Sequence, residues 1–180
     1  MALWGNTDAD EAKPKWLTAA QKEDVYATSK GWVQLNGKGL EEVICSIGGL
    51  STSVGGADIN TSAFVGSAFD VSAGGNVDVR LTFNEKVTVT GSPTITITNS
   101  QAGGGSAATK TATYQSGSGT NKLVFRCTIG AAGSTVSADD VLSIAAQNIA
   151  LAGGTIKDTG TTTNSTVAVP AGTATNTAVA

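Results

Sequence analysis

Asn76-Val77-Asp78-Val79-Arg80-Leu81-Thr82-Phe83 alternates polar and apolar side chains without a break. A period of two puts one face of a strand on a core and the other in water. The same alternation returns in Val87–Thr90, in Thr94–Thr98 (Ile95, Ile97) and in Lys122–Ile129 (Leu123, Phe125, Cys127, Ile129). Turn signals separate these runs: Gly91-Ser92-Pro93, a long flexible loop at Gln101–Ala108, and Ser116–Asn121. From Phe69 on, strands and turns follow one another at intervals of about 8–15 residues, close to the spacing of antiparallel sandwiches. The stretch Asn76–Asp158 therefore predicts an all-β domain. Thr135–Leu151 fits either a strand or one helical turn capped by Ser137-Ala138-Asp139-Asp140; Val141, Ile144 and Ile149 pack in both. Val167–Ala180 reads as a last strand and a tail.

Outward from this stretch, the Gly-rich break at Gly48–Gly56 divides the 180 residues into an N-terminal arm or adaptor, 1–50, and a β-sandwich, 56–180. Ser51–Ser67 is a linker or a first edge strand. Met1–Trp16 has no period, and Pro14 disfavours helix at Lys13, so an extended arm is expected there. Thr18-Ala19-Ala20-Gln21 matches a capping box that would start a short helix, with Gly31 as a stop after Ser29. Gly31-Trp32-Val33-Gln34-Leu35 predicts a strand, Asn36-Gly37 a hairpin turn, and Glu42–Ile47 the return strand.

Composition narrows the function. Net charge is −3 and no basic patch tracks phosphates, which argues against a nucleic-acid partner. No apolar run is long enough for a transmembrane helix, and no signal peptide is visible in a beginning that soon carries Asp8, Asp10 and Glu11. The expectation is a chain made in the cytoplasm without Sec-type export. The first 45 residues hold all three tryptophans, 5 of the 11 Lys+Arg and 7 of the 14 Asp+Glu; the remainder is rich in Thr, Ser, Gly, Ala and Val.

No catalytic constellation is present. Histidine is absent, which removes Ser-His-Asp and Cys-His catalysis and most zinc chemistry. Gly103–Thr111 resembles a phosphate loop only superficially, because Thr109 stands where glycine must precede Lys110 and strand follows instead of helix. Asp58, Asp70, Asp78, Glu85, Asp139 and Asp140 are scattered, without the dense acidic loop that calcium usually takes. They are read as turn-capping groups. Spacing alone leaves a carboxylate pair for glycoside hydrolysis open, but the sandwich has few aromatics to make a sugar platform. Asn60-Thr61-Ser62 and Asn164-Ser165-Thr166 match glycosylation acceptors, as expected by chance in such a composition. Cys127 lies on the apolar phase of its strand and reads as a buried free thiol; the alternatives for Cys45 and Cys127 are a disulfide tying arm to sandwich, or a reactive or metal-bound thiol. No enzyme activity, cofactor or metal is expected.

The informative residues are Trp4, Trp16 and Trp32. They either fold the front end onto the sandwich or dock it on a neighbouring chain. Each buried Trp removes roughly 150–250 Å² from water, or about 4–6 kcal/mol at ~25 cal/mol per Å². Ordering about 40 residues of arm costs on the order of 1–2 kcal/mol each. Three tryptophans cannot meet that cost alone, so a polar arm needs backbone pairing and further burial, most readily from a partner. Trp4, Lys13, Lys15, Trp16 and Trp32 are thus the candidate partner-binding residues, the lysines pairing with acidic groups.

Two resemblances follow. Met1-Ala2-Leu3-Trp4-Gly5-Asn6-Thr7-Asp8, Lys13-Pro14-Lys15-Trp16-Leu17, Tyr26-Ala27-Thr28, Lys30-Gly31-Trp32-Val33, Glu42-Val43-Ile44 and Ile47-Gly48-Gly49-Leu50 resemble the N-terminal region of small virion structural proteins of marine tailed phages that infect cyanobacteria. Val79–Asp158 resembles a bacterial immunoglobulin-like repeat through Val79-Arg80-Leu81-Thr82-Phe83-Asn84-Glu85, Thr94–Thr98, Ala112-Thr113-Tyr114-Gln115-Ser116-Gly117-Ser118-Gly119-Thr120-Asn121, Leu123-Val124-Phe125 and Gly153-Gly154-Thr155-Ile156-Lys157-Asp158. These resemblances imply an immunoglobulin-like antiparallel β-sandwich on a phage particle. They imply as partner the major capsid protein or another virion structural protein, with self-association as a homo-oligomer also open. The expected function is a capsid decoration (cement) protein on the outer head surface. The alternatives are a neck, tail, baseplate or fibre adaptor, and a carbohydrate-binding module using Tyr114.

Overall fold

The computed structural model describes residues 13–28, 30–38, 40–46, 56–66, 68–106, 108–131, 135–172 and 174–179. Trp4, Ile47 and most of the Gly48–Gly56 boundary lie outside them.

The front end opens with a six-residue helix, α1 (Ala19–Asp24). Its capping box forms as the sequence predicts: the Gln21 amide donates to Thr18 Oγ1 at 3.2 Å and the Thr18 amide to Gln21 Oε1 at 3.0 Å. The helix does not reach Ser29. It ends at Asp24 because Val25 is extended, φ −90° and ψ 133°, and Val25–Thr28 becomes strand β1. Val25 and Tyr26 are both fully buried; alternation sends them to opposite faces of a strand. Strands β2 (Gly31–Leu35) and β3 (Glu41–Ser46) complete an antiparallel sheet of order β1-β2-β3. The predicted hairpin is thus present, closed by Asn36 Oδ1, which accepts from the Lys38 and Leu40 amides.

The remaining strands are β4 (Ile59–Phe64), β5 (Ala68–Asp70), β6 (Gly75–Thr90), β7 (Thr94–Asn99), β8 (Thr109–Ser116), β9 (Thr120–Ile129), β10 (Val141–Ser143), β11 (Gln147–Asn148), β12 (Thr155–Asp158), β13 (Ala168–Val169) and β14 (Asn176–Val179). One hydrogen-bonded path runs β12-β6-β9-β8-β7-β10-β14-β5, with β4 added on β6 and a separate β11-β13 pair. All pairings are antiparallel except β14 with β5. The fold is all-β, a sandwich formed by a curled sheet.

The core follows from the alternation. In β9, Asn121, Leu123, Phe125, Cys127 and Ile129 are buried, and the residues between them are not. On β6, Val77, Val79, Leu81 and Phe83 meet them. Tyr114 packs edge-on against Phe125 with ring centroids 6.0 Å apart, and its hydroxyl accepts from the Ser118 amide at 2.9 Å. The outer phase of β7 and β8 is threonine, in register as Thr94–Thr113, Thr96–Thr111 and Thr98–Thr109.

Two runs that look separate in sequence, Asn76–Phe83 and Val87–Thr90, are one sixteen-residue strand. Its pairing with β9 jumps from Thr82–Lys122 to Val87–Thr120, so 83–86 on β6 oppose Asn121 alone. Such a bulge bends a strand and raises its twist. It lets the first part of β6 pair with β4 and the last with β12.

In the Gln101–Ala108 loop, expected to be flexible, the described residues Gly103 and Gly105 are bonded to Asp140. Asp140 accepts from Asn99 Nδ2 (2.8 Å), the Gly103 amide (2.8 Å) and the Ser137 amide (3.0 Å). Burial opposes its charge, but these bonds and one from the Gly105 amide hold the carboxyl below its usual range. Thr135–Leu151 resolves as this turn followed by strand. Cys45 and Cys127 are both free thiols, and burial pushes the Cys127 thiol up.

Truncating Phe125 to alanine removes a fully buried ring and its contact with Tyr114. The expected loss is about 3–5 kcal/mol, measured as a lower midpoint in urea with an unchanged slope. Tyr114→Phe, which removes the acceptor of the Ser118 amide, should cost only about 0.5–1.5 kcal/mol.

Candidate functional site

The front end separates the expected partner-binding residues into two classes. Trp32 is 1% exposed and packs with Leu17 and Val25, with Ile44 and Cys45 alongside. Its place on β2 is fixed by pairing with Ala27 on β1 and Cys45 on β3. Lys13 is buried too, its ammonium donating to the Lys22 carbonyl at the last turn of α1. Both side chains hold this chain's own front end together, and a partner could reach them only by opening it. Lys15 and Trp16 lie in the turn before α1 and are exposed. Trp16 is 69% exposed. Trp4 lies outside the described residues.

Leu40 (63% exposed) and Val43 (42%) are also uncovered, on the β2–β3 hairpin and on the edge strand β3. With Val65 they and Trp16 are the exposed large hydrophobic residues of the described chain, and three of the four fall in the front end. Scattered apolar side chains are ordinary on a protein surface, but a largely uncovered tryptophan is not. The sequence pointed to Trp16 by residue type. It carried no signal for Leu40 and Val43, because a strand's alternation does not say which face a neighbouring sheet will cover.

The front end is fixed to the sandwich by two lysines. Lys86 on β6 pairs with Glu41 and lies 5.2 Å from the centroid of the buried Tyr26 ring. The Tyr26 hydroxyl donates to Glu41 Oε1 at 3.2 Å. Lys122 on β9 pairs with Asp24 at 2.5 Å. Lys86 holds the Glu41 carboxyl below its usual range. Burial, then the Glu41 charge, pushes the Tyr26 hydroxyl up.

A second polar cluster lies where the chain enters the sandwich. The Ala57 amide donates to Asp158 Oδ1 at 2.7 Å. The Asp58 amide donates to Asn84 Oδ1 at 2.8 Å, and the Asn84 amide to the Asp58 carbonyl at 3.0 Å. Asn121 Nδ2 reaches the Phe83 carbonyl across the bulge at 3.3 Å. Glu85 sits in that bulge, buried. Its carboxyl is pushed up to about 7 by burial, then by the charges of Asp158 and Asp58. Asp158 is also raised, by burial and by Asp58, against the pull of the Ala57 amide.

Among the described residues no three His, Cys, Asp or Glu side chains form a group that would hold a metal ion, and no helix is long and apolar enough to cross a membrane. The hydroxyl–carboxylate pairs of the described residues include Ser72 with Asp70 at 2.7 Å, within a turn, and Tyr26 with Glu41 at 3.2 Å.

The two tryptophans give a direct check. Trp32→Ala should cost about 3–5 kcal/mol of stability, whereas Trp16→Ala should stay within about 0.5 kcal/mol of the parent, both by urea unfolding followed by circular dichroism. Equal losses would show that Trp16 is packed in solution.

Comparison with known proteins returns no match: no family model, no curated protein and no solved structure is similar to this chain.

Proposed function

We propose that this chain is a structural protein of a phage particle. Its role is capsid decoration: the front end binds the outer head surface and the sandwich stands outward from it. The observation that carries this is the exposed Trp16, joined in the same front end by Leu40 and Val43, while Trp32 is committed to the core beneath. An exposed tryptophan on a folded platform is the side chain that supplies large interface energy at small entropic cost. The platform is already ordered by α1, three strands and two lysine clamps. Binding then does not have to meet the ordering cost of that segment. The partner is the major capsid protein or another virion structural protein. Lys15, beside Trp16 and exposed, is placed to pair with an acidic group on it. The resemblance of the first 50 residues to virion proteins points the same way.

The sandwich suits display rather than recognition by aromatic stacking. Tyr114, the residue a sugar platform would need, turns its ring onto Phe125 and spends its hydroxyl on the Ser118 amide. The outer phase of β7 and β8 offers threonines instead.

The test uses particles lacking this protein and the purified full chain. Trp16→Ala with Lys15→Ala should weaken particle binding by about 30-fold or more, a tryptophan hot spot being worth about 2 kcal/mol or more. The unfolding midpoint should not move. This pair is cleaner than deleting residues 1–16, which would also remove the buried Lys13. Undiminished binding by the double variant would refute the front-end role. In a cryo-EM map of intact particles, this chain repeated over the icosahedral shell is the expected result. Density confined to neck or tail would replace decoration with an adaptor role.

A further inference from the structure

We infer that Glu85, Asp158 and Asn121 form a binding site for a hard divalent cation of the calcium class, at the end of the sandwich where the chain enters it.

The first observation is convergence. Glu85 shares the inward phase of β6 with Phe83 and Val87, all buried. Asn121 shares the inward phase of β9 with Leu123. Asp158 shares that of β12 with Ile156 and pairs across the sheet with Val87. The bulge places Asn121 opposite 83–86, and the Asn121 amide bond to the Phe83 carbonyl closes that gap. Three adjacent strands therefore send these side chains to one end of the core.

The second observation is independent. Glu85 Oε2, Asn121 Oδ1 and Asp158 Oδ2 are buried and have no hydrogen-bond partner. Their side chains are 7%, 0% and 2% exposed. Buried polar atoms are nearly always satisfied. Here every orphan is an acceptor, so the missing group is a donor or a cation. A water molecule supplies donors but no charge, and two carboxylates without a counter-ion are costly to bury. No lysine or arginine takes that role: the ion pairs of the described residues use Glu41, Asp24 and Asp78. Glu85 feels burial and the negative fields of Asp158 and Asp58, Asp158 feels burial and the field of Asp58, and no cationic side chain offsets either.

The donor set fits a hard cation. It is all oxygen, with two carboxylates and one amide carbonyl, the kind of ligands calcium takes. No imidazole exists in the chain, and neither cysteine belongs to the cluster: Cys45 packs in the front end, and the Cys127 thiol donates weakly to the Thr128 carbonyl. A soft-metal site is thereby disfavoured. Only two carboxylates take part, Asp58 acting as an outer charge, so affinity should lie in the weak class, about 10⁻⁴–10⁻³ M.

The experiment titrates the full chain with calcium chloride after dialysis against EDTA, at about pH 8, above the range in which Glu85 changes charge. Calorimetry should give one site. The thermal midpoint should rise by roughly 5 °C or more at about 100-fold excess over the dissociation constant. Glu85→Gln and Asp158→Asn should abolish the rise. Both keep an oxygen acceptor, so the Asp158 variant retains its bond from the Ala57 amide. Both remove an uncompensated charge, so each should stay folded in EDTA. No heat and no midpoint shift with calcium or magnesium would overturn the site, as would a full shift in the Glu85→Gln variant. A further overturning result is a wild type whose stability falls equally, with and without calcium, as pH rises from about 4.5 to 7. Carboxyls with raised native pKa values lose stability in that direction, and the cluster would then be holding a proton.

Discussion

Strand β6 is the constraint on which the structure depends. It pairs with β4 and β9 along its first part and with β12 along its last, and the path from β9 onward carries every other strand of the large sheet. A shift of one residue in β6 would turn Val77, Val79, Leu81 and Phe83 out of the core together. Register is therefore strongly specified by a single run of alternating side chains. The bulge at 83–86 is what allows one strand to serve partners on both sides at different points along its length. It also accounts for the polar residues buried there. A bulge leaves backbone groups without ladder partners, and Asn84 and Asn121 supply some of the missing bonds.

Lys86 is the last residue of the bulge and is exposed enough to leave the sandwich surface. It meets Glu41 and the face of Tyr26, so the geometry of β6 also sets where the front end sits. The clamp is electrostatic at its rim and apolar beneath, with Tyr26 and Val33 fully buried. Exposed ion pairs alone contribute little. The buried ring supplies the larger part of the adhesion, and the lysines choose its position. The front end can then present Trp16 from a fixed base.

Much of the sandwich was legible from period-two alternation. β7 and β9 fall where the pattern places them, as does the β2–β3 hairpin around Asn36-Gly37. The continuity of β6 was not legible, because Asn84-Glu85-Lys86 interrupts the alternation and an interruption looks like a turn. The length of α1 was missed for a related reason: a capping box marks a beginning, and Val25 and Tyr26, favourable in strands, ended the helix a turn early. The division between Trp16 and Trp32 was beyond the sequence, since residue type gives the energy available to a tryptophan and not the partner that receives it. The neighbours of Trp32 do carry a hint. It stands in a strand with a partner on each side, whereas Trp16 precedes α1 in a turn.

The acidic cluster shows why composition can hide a site. Asp58, Glu85, Asn121 and Asp158 are far apart in the chain, and no window of sequence contains more than one of them. Each was individually consistent with a turn or a solvated position. The sheet brings them together at one end of the sandwich because the β6 bulge that carries Glu85 faces the start of β9 at Asn121 and lies next to the end of β12 at Asp158, while Asp58 stands just before β4. That end is also where Gly56 presses on the Asn164 carbonyl, so closely that a Cβ there would lie 2.1 Å from the oxygen. The same end thus holds a close backbone approach, the strand bulge and the buried carboxyls. The backbone there has no room for a side chain at Gly56, and hydrogen bonds tie four segments of the chain together around the unpaired Glu85, Asn121 and Asp158 oxygens.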